Sequence, residues 1–151
     1  MTILSETPLF TGKVRFQHYD KNDNLINEFS VKNLVVSSGL RHIMGRLGDD
    51  DESTQMTKMA LGVSNTPPQL SQIALQSPEV DRVDLEVEGG ELSESQTSRT
   101  YVAAFGPGTT GELQEAGIFN DDDIMLCRAV FPPINKGVDD SLVVTWVVTI
   151  S

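Results

Sequence analysis

The run from Leu142 to Ser151 (Leu-Val-Val-Thr-Trp-Val-Val-Thr-Ile-Ser) constrains this chain more than any other feature. In an extended strand, side chains alternate between faces. Leu142, Val144, Trp146, Val148 and Ile150 therefore share one side, and Val143, Thr145, Val147, Thr149 and Ser151 the other. The first set is continuously apolar. The second is half apolar and rich in β-branched residues, which suits a central strand or one covered by a neighbour. A strand this apolar invites aggregation if left at a sheet edge. The expectation is a strand inside a sheet, covered by an opposing sheet on one face and by a helix or sister subunit on the other.

The rest of the chain reads in the same idiom. Val14, Phe16 and His18 alternate with Arg15, Gln17 and Tyr19, the turn cluster Asp20–Asn24 follows, and Leu25–Val36 resumes extended character. Residues 13–36 are thus expected to form a β-hairpin. Ser37 and Ser38 offer an N-cap to a helix whose apolar stripe is Leu40, Ile43, Met44 and Leu47, closed by Gly48. Further strands are expected at Met56–Val63, Val80–Val87, Ser98–Phe105, Glu112–Phe119, Ile124–Phe131 and Ser141–Ser151. A helical turn is expected at Leu70–Leu75, an acidic, solvated loop at Asp49–Thr54 and a mobile segment at Glu88–Gln96. Strands at this spacing with Gly, Pro and Asp punctuation predict a mainly β fold. Its form is an antiparallel, jelly-roll-like β-sandwich of about eight strands with one amphipathic α-helix packed on it. Residues 1–12 read as an N-terminal arm and residues 13–151 as a single domain, a length able to bury a core without staples.

Composition narrows the function. With 11 basic and 22 acidic residues the net charge is -11, the wrong sign for a protein whose main partner is nucleic acid or an anionic membrane surface. Cys127 is the single cysteine, so no intrachain disulfide or cysteine zinc cluster can form. Met1–Phe10 lacks the basic start and apolar run of a signal peptide. No segment approaches the ~20 apolar residues of a membrane span.

Chemistry is sparse. Nucleophilic catalysis needs a Ser, Cys or Thr beside an oriented base, yet the two histidines, His18 and His42, fall in a strand and on the non-apolar side of the helix. Cys127, between Leu126 and Arg128, reads as a small core residue. Asp20-x-Asn22-x-Asn24 begins like a calcium loop. However, Leu25 stands where the loop needs glycine and Val31 where it needs glutamate, so a hairpin turn is the better account. Asp49–Glu52 and Asp121–Asp123 read as solvated charge runs. Gly106-Pro-Gly108 carries proline where a phosphate cradle needs an N–H. No catalytic, cofactor-binding or metal-ligating residue is assigned, and the expectation is a non-enzyme without cofactors. A glycan-binding sandwich would want exposed aromatics, and the chain has one Trp and two Tyr.

Five segments, in order, resemble a group of tailed-bacteriophage virion structural proteins. They are Val31-Lys-Asn-Leu-Val-Val-Ser-Ser-Gly-Leu-Arg-His-Ile, Met59-Ala-Leu-Gly-Val with the Asn65-Thr-Pro-Pro turn, Thr100-Tyr-Val-Ala-Ala-Phe-Gly, Leu113-Gln-Glu-Ala-Gly-Ile-Phe-Asn, and Leu126-Cys-Arg-Ala-Val-Phe-Pro-Pro-Ile-Asn-Lys-Gly. Together with the Trp146 strand the resemblance covers residues 13–151. It implies a virion component assembled in the host bacterial cytoplasm, with capsid or tail proteins as partners and no nucleic acid or membrane. A capsid-decorating (cement) protein, homo-oligomeric with a trimer favoured, is the first expectation; a neck, collar or tail-fibre-associated module is the alternative. The candidate contact residues are Ile3, Leu4, Leu9 and Phe10 in the arm, and Phe131, Pro132 and Pro133. Gly117 is expected to permit a close approach or a bulge, and the two prolines to start a rigid connection into the last strand.

Overall fold

The computed structural model describes residues 10–48 and 54–150. Among these, the strands are β1 Phe10–Tyr19, β2 Leu25–Val35, β3 Met56–Gly62, β4 Pro78–Asp84, β5 Glu91–Leu92, β6 Ser98–Phe105, β7 Gly111–Asn120, β8 Met125–Lys136 and β9 Ser141–Ile150, and the helix α1 is Ser37–Arg46. The expected mainly β sandwich with one helix is what forms. The strands run antiparallel in the order β4-β3-β7-β8-β2-β1-β9-β6-β5. β2 is the switch between layers: most of it pairs with β1, while Leu34 and Val35 pair with Arg128 and Cys127 of β8. One layer is therefore β2-β1-β9-β6-β5 and the other β4-β3-β7-β8.

The alternation read from the sequence becomes the core. Val14 and Phe16 of β1, Tyr101, Ala103 and Phe105 of β6, and Leu142, Val144 and Trp146 of β9 face the opposite layer's Met59, Leu61, Leu113, Ile118 and Phe131. Phe16 and Phe131 meet across the layers with ring centroids 4.2 Å apart, and Phe29 stacks on Phe16 at 5.2 Å. Each such side chain removed from water contributes roughly 1.5–3 kcal/mol. β9 lies between β1 and β6, with Val14 and Tyr101 flanking Trp146. It is a central strand, as expected, although Ile150 at its end is 40% exposed.

In the second layer, β3 and much of β7 are buried on both faces, while β4 at its edge is mostly exposed. Met56–Gly62 is almost wholly covered, and so is Glu115–Asn120. Its outer face holds a separate cluster of Val36, Ala60, Leu75, Phe119 and Met125. The cover comes from the 63–77 segment, which is irregular, with a single turn at Leu70–Ser71 where a helical turn was expected at Leu70–Leu75. Gly117 makes room for it: a side chain there would sit 3.0 Å from both Leu75 and Phe119.

The helix differs from its expected orientation. Gly39 and His42 are the buried positions, Leu40 and Ile43 pack at the margin of the core, and Met44 and Leu47 are exposed at 67% and 77%. The reason is Gly39. A Cβ there would lie 2.2 Å from the Leu126 carbonyl oxygen, so the helix rests its backbone directly on β8 and turns the Gly39 side inward. Ser38 Oγ donates to the Met125 carbonyl at 2.8 Å instead of capping the helix, which has no side-chain cap. Since α1 lies on β8, it does not cover the second face of β9.

Three boundaries also differ. Phe10, Thr11 and Gly12 belong to β1, paired with Ile150, Thr149 and Val148, so the expected 1–12 arm reduces to residues 1–9, which lie outside the described residues. Pro132 and Pro133 sit inside β8 at a register break, between the Glu115–Val130 and Leu113–Ile134 pairs, where a missing N–H is tolerated. The Glu88–Gln96 stretch, expected to be mobile, contains β5, paired with Thr100 and Arg99. The acidic run at 49–53 lies outside the described residues.

Candidate assembly surfaces and the polar centres beneath them

Two buried polar centres hold the loops in place. The first is Glu115 of β7 with Arg128 of β8, both side chains fully buried. Arg128 Nε donates to Glu115 Oε1 at 3.1 Å, and Nη2 lies 3.0 Å from the same oxygen in a charge contact whose angle falls short of a hydrogen bond. The carboxylate also accepts the backbone N–H groups of Ser64, Gln76 and Ser77 at 3.1, 2.8 and 2.8 Å. Arg128 Nη1 donates to the Thr66 carbonyl at 2.7 Å and to Gln72 Oε1 at 3.2 Å. A buried charge needs partners for its remaining sites, and here the 63–77 segment supplies them to both groups, while Arg128 Nη2 keeps only its charge contact with Glu115. The pair therefore fastens that segment over β3, β7 and β8.

The second centre is Lys136, 2% exposed at the end of β8. Its ammonium donates to the carbonyls of Gly106, Thr109 and Asp140 at 3.0, 2.6 and 2.6 Å, with Gly137 at 3.4 Å. Burial pulls its pKa below the usual lysine value, and the nearby Asp140 charge opposes this. Asp140 accepts the Gly137 N–H at 2.8 Å and lies 2.9 Å from His18 Nε2. One cation thus joins the β6–β7 and β8–β9 loops, and a histidine on β1 braces them.

Among the described residues the carboxylate clusters are occupied by protein groups. Asp20 accepts the N–H groups of Asn22 and Asn24 at 2.8 and 3.0 Å, the hairpin turn expected from the sequence. In the β7–β8 turn, Thr57 Oγ1 donates to Asp121 at 2.6 Å, the Thr54 N–H donates to Asp122, and Asp123 pairs with Arg82. Among the described residues no group of three or more His, Cys, Asp or Glu side chains is placed to hold a metal ion. Cys127 is fully buried, and that burial pushes its thiol well above the usual value. Trp146 and Tyr101, which a glycan platform would present outward, face the core; burial raises the Tyr101 hydroxyl to about 12.

Of the expected contact residues, Ile3, Leu4 and Leu9 lie outside the described residues. Phe131 is 3% exposed and packed against Phe16 in a tilted ring contact, which removes it from any surface; Pro132 and Pro133 are exposed beside it. Phe10 packs at the core margin and lines a cleft of about 410 Å³ with Ile43, Leu47, Tyr101, Val148 and Ile150, where the end of the sandwich meets α1. The sequence reading did not foresee this cleft, because the helix orientation that opens it depends on Gly39. A second surface is the outer face of the β2-β1-β9-β6-β5 layer, where Val143, Thr145, Val147 and Thr149 are half-buried among their neighbours. Among the described residues no helix is long and apolar enough to cross a membrane. Comparison with protein-family models, with curated proteins and with solved structures finds no match.

Proposed function

We propose that this chain is a non-catalytic structural component of a tailed-bacteriophage virion, a capsid-decorating protein that stabilises the head by binding the major capsid protein. The observation that carries the reading is how the segments of the resemblance fit together. Glu115 comes from one, Arg128 from another, and the Thr66 carbonyl from the Asn65-Thr-Pro-Pro turn of a third, and the three meet in one buried centre. Gly39 of a fourth segment rests on Leu126, which lies in the same segment as Arg128. Residues scattered along the sequence thus form one framework, and its polar groups hold loops in place. The outward surfaces include a sheet face with a β-branched centre and a cleft lined by apolar side chains, and the chain is acidic overall, which suits packing against protein.

A neck, collar or tail-fibre-associated position draws on the same resemblance. Quantitative mass spectrometry of purified virions separates the two. A copy number that follows the capsid lattice supports decoration, one that matches the tail or neck ring supports the alternative, and absence from virions defeats both.

A further inference from the structure

We infer that the outer face of the β2-β1-β9-β6-β5 layer is a two-fold interface that takes a second copy of this chain, with Lys32 and Lys13 of each protomer facing the Glu91 side of the other. The register defines one row of outward residues across all five strands. Lys32 pairs with Lys13, Lys13 with Val147, Val147 with Thr100, and Thr100 with Glu91. Cross-strand partners point to the same face, so the row runs from two cations through a β-branched centre to an anion. Lys32, Lys13 and Glu91 are exposed, while Val147 and Thr100 are half-buried.

Two lysines directly opposite one another repel. Among the described residues neither has a carboxylate within ion-pair distance, although acidic residues outnumber basic ones two to one over the chain. Anion supplied from outside the protomer removes that cost. The next row, Ser30, Arg15, Thr145 and Val102, repeats the β-branched centre, with Arg15 already paired to Glu28 of β2 at 3.9 Å. A two-fold axis lying in the face along β9 superposes each strand on the one equally far to the other side. β2 then faces the partner's β5, and β1 faces the partner's β6. Lys32 meets Glu91 twice, and Val143, Thr145 and Val147 meet their own copies in the middle. An axis across the strands would set lysine on lysine. The pattern therefore selects one of the two symmetric arrangements and makes it self-complementary. The face covers roughly 600 Å² in projection, from strands ~4.8 Å apart and ~3.3 Å per residue. That is the order of the ~800 Å² each partner gives to a stable interface. This order is two-fold, in place of the trimer expected from the sequence. It does not depend on where in a virion the protein is mounted.

The test is sedimentation equilibrium of the full chain and of three variants: Lys32→Glu, Glu91→Lys, and the combined swap. The wild-type chain is expected to be a dimer. Each single reversal should raise its dissociation constant roughly tenfold, because the contact occurs twice, and the swap should restore it to within about threefold. Thermal unfolding of each variant checks that these exposed substitutions leave the fold intact. Ionic strength is a weaker probe, since salt screens the matched rows but also relieves repulsion between two copies of charge -11. A monomeric wild type, a dimer indifferent to both reversals, or a swap that fails to restore association overturns the proposal. Loss of virion attachment in a Lys32→Glu variant of a monomeric chain would assign the face to another virion protein, which also overturns it. None of these results touches the copy-number measurement.

Discussion

Arg128 Nε donates to Glu115 Oε1 at 3.1 Å between two neighbouring strands, with both side chains fully out of water. A buried ion pair is seldom a net source of stability, because desolvation cancels most of the attraction. Its value here lies in the groups around it. Three backbone N–H groups of the 63–77 segment end on the carboxylate, and a carbonyl of the same segment ends on the guanidinium. The pair decides where that cover lies on the second layer, and so why β3 and β7 can be apolar on both faces.

Glu115→Ala should destabilise the fold by about 3–5 kcal/mol in urea unfolding, since it strands a buried guanidinium. Glu115→Leu combined with Arg128→Met should recover only part of this. The charge problem disappears, but the Ser64, Gln76 and Ser77 N–H groups still lack their acceptor, at ~1–3 kcal/mol for each that water cannot reach. A Glu115→Ala cost under ~1 kcal/mol would mean the segment is not fastened by this pair.

Gly39→Ala poses a contest of two effects. Alanine favours helix over glycine by roughly 1 kcal/mol, but its Cβ would lie 2.2 Å from the Leu126 carbonyl oxygen. The obstacle is backbone and no rotamer change relieves it. The helix must lift from β8, at the ~1–3 kcal/mol typical of overpacking. A net loss of stability in urea unfolding is expected, and a gain would refute the contact.

Acid should weaken the protein in part through Asp140 and Asp20. The Gly137 N–H, then His18, hold the Asp140 carboxyl below its ordinary value, and the Asn24 backbone does so for Asp20. A carboxyl lowered on folding stabilises above its unfolded pKa of ~3.9, and this contribution is lost as pH falls through the folded value. Asp140→Asn should therefore lower the thermal midpoint near neutral pH, with the gap to wild type closing below about pH 3. A gap constant with pH would show that the charge is not what Asp140 contributes.

Cys127 should resist an aromatic disulfide reagent at neutral pH in the native state and react at once in denaturant. Burial both blocks access and disfavours the thiolate. Reaction at the rate of a free thiol in the native protein would place Cys127 near a surface.

How legible the fold was in the sequence follows from what each signal depends on. Period-two alternation needs only local chemistry, and it located β6 from Ser98 to Phe105 and the inward face of β9 from Leu142 to Val148. The helix was located too, but its inward face was misjudged. Apolarity pointed to Met44 and Leu47, while steric contact at Gly39 set the rotation. Phe131 read as a contact residue together with Pro132 and Pro133 in one segment of the resemblance; its packing on Phe16, 115 positions away along the chain, is a tertiary fact. The Glu115–Arg128 pair had one usable signal, a charged residue inside each of two otherwise apolar strands. The charge row across five strands became visible only with the register.

The reach of the N-terminal segment can be tested only with the strand boundary in hand. Phe10 pairs with Ile150 and packs against the core, and Gly12 pairs with Asn33 and Val148. Deleting residues 1–12 therefore removes the start of β1 as well as any arm. It should lower the thermal midpoint through lost pairing and the roughly 1–2 kcal/mol of a partly buried Phe. Deleting residues 1–9 spares β1 and should leave the midpoint unchanged. If Ile3, Leu4 and Leu9 anchor the protein to a neighbour, this shorter deletion should still reduce its occupancy on virions. Full occupancy after removal of residues 1–9 would show that the anchor lies elsewhere on the sandwich.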